Sequence, residues 1–150
     1  MFYPCLENLK KKFSNQTVDL FDWWLGTRRS NVRKNINPLQ FSLDCDIDIE
    51  YTLKLFSYST FDPSIQLFKR KFVTYCPFCD HRVITQYDEP NFENSIECRN
   101  CGVTIPSDMY KTNTELYFEL LISPNHNQDQ DIPPIGANQK KQKAFGCPIY

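Results

Sequence analysis

Two Cys-x-x-Cys pairs, Cys76-Pro77-Phe78-Cys79 and Cys98-Arg99-Asn100-Cys101, constrain this 150-residue chain more than any other feature. Eighteen residues separate them, which is the spacing of a structural zinc site. Each pair can wrap a tight turn around a cation. Two such knuckles, brought together by a hairpin, close a tetrahedral shell of four sulfurs. A closed shell leaves no position for water, so the expected cofactor is one structural zinc ion on Cys76, Cys79, Cys98 and Cys101. Zinc binding is worth about 10–16 kcal/mol in small finger peptides. That supplies folding energy to a segment with too few apolar residues to hold itself.

The competing reading of the cysteines, a disulfide framework, needs an oxidising compartment. Residues 1–12 lack a basic segment followed by an apolar run and a small-residue cleavage site. The cysteine count is odd, at seven, and no apolar stretch reaches the length of a membrane span. The expectation is an intracellular chain, cytoplasmic or nuclear. Cys147-Pro148-Ile149-Tyr150 has the form of a lipidation signal, but tyrosine falls outside the usual final residues, so lipidation is not expected. His81 reads as a surface histidine beside the metal, and His126 as a solvated residue. Cys5, Cys45 and Cys147 have no neighbour at ligand spacing, and Cys45 reads as a small buried hydrophobe.

The net charge of −1 hides an internal asymmetry. Residues 1–40 carry seven Lys/Arg against three acids, whereas residues 41–68 carry one Lys against five acids. Leu6, Leu9 and Phe13 recur at helical spacing, and a second helix is expected over Thr17–Leu25, with Gly26 as its terminating residue. Trp23 and Trp24 cannot share one helix face, so one is expected inside and the other at a surface or an interface. From Phe41 to Leu55 apolar and polar residues alternate, which predicts a long strand with one buried and one wet face. Ile65–Tyr75 would return as its antiparallel partner, with Lys69, Arg70 and Lys71 across from the acidic row. Arg82–Tyr87 and Phe92–Glu97 read as two short strands of the zinc segment, joined by a turn. Thr112-Asn113-Thr114-Glu115 has the form of a capping box before a helix over 113–122, with a strand as the alternative.

These readings give an α+β fold: a small antiparallel sheet with N-terminal helices, plus a zinc ribbon and a short C-terminal helix. They divide the chain into a helical segment with an acidic β-hairpin (1–71), the zinc ribbon with its helix (72–122) and a polar tail (123–150). The row Asp44, Asp46, Asp48 and Glu50 would share one strand face, with successive carboxylates about 6.5–7 Å apart. It reads as a protein-binding surface, because no histidine or nuclease-type lysine accompanies it. The basic stretch Arg28, Arg29, Arg33 and Lys34 is the candidate for nucleic acid. Its competing account is neutralisation of the acidic row within the same molecule.

The pattern Cys-Pro-Phe-Cys … Glu-Cys-x-Asn-Cys-Gly resembles zinc ribbons at large, and more narrowly the small phage restriction-alleviation (Lar-like) proteins. The resemblance covers residues 75–122. Asp80 stands where those proteins carry a glycine after the first pair. The resemblance implies a viral or phage setting and a protein–protein role against a host-defence enzyme. No Ser/His/Asp set, phosphate loop or open metal site is visible in the sequence, so no catalytic residue is assigned. The expected function is that of a non-enzymatic zinc-ribbon adaptor or inhibitor acting on a protein partner, such as a host-defence or transcription component. The alternative is a nucleic-acid-binding protein using residues 28–34.

Overall fold

The computed structural model describes residues 1–92 and 94–125; most of the 123–150 tail, with His126 and Cys147, lies outside the described residues. The chain is mixed helix and sheet. A 3₁₀ helix, Pro4–Lys11, buries Leu6 and Leu9. Ser14 then caps helix α1, Asn15–Gly26, by accepting the Thr17 N–H at 3.2 Å. Gly26 does not take a left-handed conformation. Its missing side chain has another use, because a Cβ there would overlap the Phe2 ring. Asp22, on α1, fixes the same N-terminal segment by accepting the N–H groups of Phe2 (2.9 Å) and Tyr3 (2.7 Å). Burial raises the pKa of its carboxyl, against the pull of those two donors.

Residues 41–55 are helical, which corrects the strand reading. Pro38–Cys45 forms α2 and Ile49–Phe61 forms α3. Asn37 caps α2 through the Leu39 N–H, and Pro38 sits in its first turn, where a missing N–H costs nothing. Asp46 ends α2 in the left-handed region (φ 53°), and Asp48 caps α3 by accepting the Tyr51 N–H at 3.2 Å. The residues that the two helices bury include Phe41, Asp44 and Cys45, then Thr52, Leu55, Phe56 and Ser59. This is helical spacing. The alternation came from Leu43, Ile49 and Leu53, which are exposed.

The sheet has the order β2–β1–β5, from Arg82–Tyr87, Phe68–Tyr75 and Thr114–Leu120, all antiparallel. Ile36 bridges Phe118 on the far side of β5. Residues 114–120 therefore take the strand alternative rather than a helix. Their partner β1 is already placed, and it meets them from Phe68↔Leu120 to Thr74↔Thr114. Lys69 does not meet an acidic hairpin. It pairs with Glu119 at 3.6 Å and lies over the Tyr87 ring at 4.1 Å, while Lys71 is buried with its Nζ 3.4 Å from the Lys34 carbonyl. The remaining short strands are β3, Ile96–Glu97, and β4, Thr104–Ile105, which pair with each other. Thus 82–87 and 92–97 do not form a hairpin, since β2 is paired to β1. A short helix, α4, spans Ser107–Thr112.

The core is aromatic. Phe56 packs on Phe21, Phe68 and Phe118 with ring centroids 5.1 Å apart in each pair, and Phe41 joins Phe21 at the same distance. Each such pair adds about 0.5–1.5 kcal/mol beyond area burial. Both tryptophans are buried, at 5% and 1% exposure, which corrects the expectation that one faces outward. The reason is that α1 has the 3₁₀ helix packed on one side and α2 on another. The Trp24 indole N–H donates to Asp44 at 3.0 Å, and the Gln40 amide donates to the other carboxylate oxygen at 2.7 Å. Arg28 stacks over the Trp24 ring at 4.6 Å, donates to the Trp24 carbonyl at 2.8 Å and stands 4.0 Å from the Asp44 carboxylate.

Asp44 is thus a buried acceptor shared by α1 and α2. Replacing Asp44 by Ala should lower stability by about 3–5 kcal/mol, because a buried guanidinium loses its counter-charge and an indole N–H its acceptor. Urea unfolding of the variant checks this. A loss under about 1 kcal/mol would mean that the network contributes little.

Candidate metal centre

The strand β1 leads directly into the first knuckle, and the sheet places it. Tyr75 N–H bonds to the Asn113 carbonyl at 3.0 Å, so the chain enters and leaves the cysteine segment at one point. The two knuckles then repeat one backbone pattern. Asp80 N–H donates to the Cys76 carbonyl at 2.8 Å, and Gly102 N–H donates to the Cys98 carbonyl at 2.7 Å. Cys76 N–H reaches the His81 carbonyl at 2.8 Å, just as Cys98 N–H reaches the Val103 carbonyl at 2.9 Å. Both turns require a left-handed residue after the second cysteine, at φ 61° for Asp80 and φ 77° for Gly102. Asp80 fills that position because aspartate is one of the few non-glycine residues that visit it.

This local folding brings all four Sγ atoms within 4.8 Å of one another. Cys76 and Cys101 are 3.7 Å apart, and Cys79 and Cys98 are 3.6 Å apart. A zinc ion with bonds of about 2.3 Å separates its sulfurs by about 3.8 Å in a regular tetrahedron. The donor set therefore fits one metal ion, compatible with zinc. Ile105 and Tyr110 are buried beneath the cysteines, with Val83, Phe92, Ile96 and Val103 against them. A metal ion held there would sit directly on this small core.

Donors to sulfur surround the site. The Phe78 N–H lies 3.4 Å from Cys76 Sγ, and the Asn100 amide lies 3.4 Å from Cys79 Sγ. The Asn100 hydrogen bond, with one from the backbone at His81, lowers the Cys79 thiol to about 6. At Cys101 the Val103 N–H also lowers the pKa, but desolvation and hydrogen bonds to the other three sulfurs outweigh it and hold the thiol up to about 12. Sulfurs that restrain one another's ionisation in this way release their protons together when a cation binds. Asn100 was not singled out by sequence reasoning. Its place directly before a ligand cysteine, in a tip otherwise open to solvent, was the available signal. His81 is exposed and stands outside the sulfur cluster.

The other candidate residues fall elsewhere. Asp44 is buried in the core and cannot form part of a docking surface, while Asp46, Asp48 and Glu50 are exposed around the α2–α3 turn. The four do not form one strand face, because the segment is helical. Arg28 is buried and so cannot reach a phosphate, Arg33 is half-buried, and Arg29 and Lys34 are exposed. No helix among the described residues is long and apolar enough to cross a membrane. Neither a family model, a curated protein nor a solved structure matches this chain.

Purified protein should carry one zinc per chain with four sulfur ligands at about 2.3 Å by X-ray absorption. Cys98→Ser or strong chelation should collapse the amide resonances of residues 76–112 while helical circular dichroism from α1–α3 persists. Stoichiometric metal in the serine variant would contradict this assignment. The two left-handed positions give a second expectation. Gly102→Ala should cost about 1–2 kcal/mol from backbone strain alone, since its Cβ would meet nothing within 4 Å. Asp80→Gly should be neutral or stabilising. Unfolding of the zinc-loaded variants measures both, and an unchanged Gly102→Ala stability would refute the strain account.

Proposed function

We propose that this chain is a non-enzymatic zinc-ribbon adaptor or inhibitor that works by docking on a protein partner. The observation that carries this reading is Phe78. It sits between the first two cysteines at 61% exposure, and the metal-binding turn fixes its backbone. Burying such a side chain in a partner's pocket is worth about 1.5–3 kcal/mol. Rigid aromatic anchors of this kind dominate protein interfaces. The likeness of the knuckles to restriction-alleviation proteins makes a host-defence or transcription component the first class of partner to examine.

The nucleic-acid alternative has less support. Of the basic stretch, Arg28 is committed to Trp24 and Asp44. Neither tryptophan offers a free face for stacking on a base, since both are buried.

Affinity capture from the native host, with and without nuclease treatment, tests the proposal. A specific protein should remain bound to the zinc-loaded chain after nuclease. It should be depleted roughly tenfold by Phe78→Ala, a surface change that leaves zinc content intact. Capture that disappears with nuclease, or that is indifferent to Phe78, would sink the reading.

A further inference from the structure

The helices α2 and α3 are joined by residues 46–48 and followed in the fold by the antiparallel pair β1 and β5. Just before α2, Ile36 bridges the outer side of β5. This is the element order of a helix-turn-helix backed by a β-ribbon, and the connection has the length that such motifs use. Where the motif reads DNA, the first residues of its second helix meet base edges. That surface must be positive, because duplex DNA presents one negative charge per about 1.7 Å.

The corresponding surface here has the opposite character. Asp46, Asp48 and Glu50 are exposed around the turn, and the first cation of α3 is Lys54. None of the three acids has an ion-pair partner among the described residues. Large apolar side chains of the same two helices are exposed as well: Leu43 at 68%, Leu53 at 44% and Ile49 at 37%. Ile49 and Leu53 lie one turn apart on α3, and Leu43 lies in the last turn of α2, beside the connection. Buried partners in the same helices account for core packing without them.

We infer that this acid-rimmed apolar face of α2 and α3 is a docking surface for a basic amphipathic protein segment, and that it does not read DNA. The inference rests on the protein-partner reading above and adds a second, chemically distinct contact to the one at Phe78. A partner helix with leucine-like residues one turn apart would cover Leu43, Ile49 and Leu53. Lysines or arginines flanking that stripe would meet Asp46, Asp48 and Glu50, which supply complementary charge at the rim.

A short amphipathic Leu/Lys peptide is the probe, with a Leu/Glu peptide of the same apolar spacing and a DNA duplex as comparators. The Leu/Lys peptide should shift amide resonances of residues 39–54 in the zinc-loaded full chain, and the comparators should not. Leu43→Ala combined with Leu53→Ala should weaken it roughly tenfold. Glu50→Gln, which keeps a polar side chain in the first turn of α3, should weaken it with little change in the melting temperature. Shifts confined to other residues, equal binding of the Leu/Glu peptide, or DNA-induced shifts along α3 would each overturn the inference. The outcomes also separate the two readings. A native partner lost with Phe78→Ala, but retained with its full affinity by the Leu43/Leu53 variant, refutes this surface and leaves the adaptor reading standing. Expected peptide binding with no nuclease-resistant protein partner does the reverse.

Discussion

The pairing of β1 with β5 is the interaction on which both halves of the molecule depend. At one end of the ladder Phe68 and Leu120 face each other, and Phe68 and Phe118 deliver their rings to the aromatic core. At the other end Thr74 and Thr114 share a 2.7 Å side-chain hydrogen bond, and the next residues lead into the cysteines. One strand therefore serves the core of the helical body with its first residues and the metal knuckle with its last. The β1 strand also crosses the 71/72 boundary drawn from the sequence, because the sheet needs residues on both sides of it.

What could be read from the sequence followed from how local the determinants are. The cysteine spacing needs only two tight turns, and Asp80, in the place of a glycine, takes the left-handed conformation that the first turn requires. The N-terminal helices carry their own apolar spacing, and Ser14 caps the second. The α2–α3 segment was misread because its apolar residues serve two purposes. Phe41, Cys45 and Leu55 build the core, whereas Leu43, Ile49 and Leu53 stand in solvent, and together they imitate a period of two. The helix-start signals were present in Asn37-Pro38 and Asp48, but they are single residues competing with a fifteen-residue pattern. A local conflict of this kind is expected where side chains are kept for something other than folding. Residues 114–120 were ambiguous for the opposite reason: a distant strand decides their conformation.

The charge asymmetry along the chain is resolved at very few points. The positive first segment and the negative second one meet at particular residues. Lys12 and Lys11 act on the Asp62 carboxylate, and Arg28 approaches Asp44 inside the helical body, where Trp24 and Gln40 donate to the same carboxylate. A buried pair of this sort contributes less through attraction than through the cost of breaking it. Asp48 is used differently, as a helix cap, and the exposed acids beside it retain their field in solvent.

The cysteine segment enters and leaves the sheet at neighbouring positions, which has a consequence for the order of assembly. Thr74 and Thr114 meet across a sequence separation of 40 residues. Loop-closure entropy rises with the logarithm of the intervening length, so a free excursion of this size opposes the pairing that completes the core. Two knuckles clamped on one ion would convert most of that excursion into a compact object whose ends lie side by side. Metal capture would then act as a topological shortcut, shortening the search by which β5 finds β1.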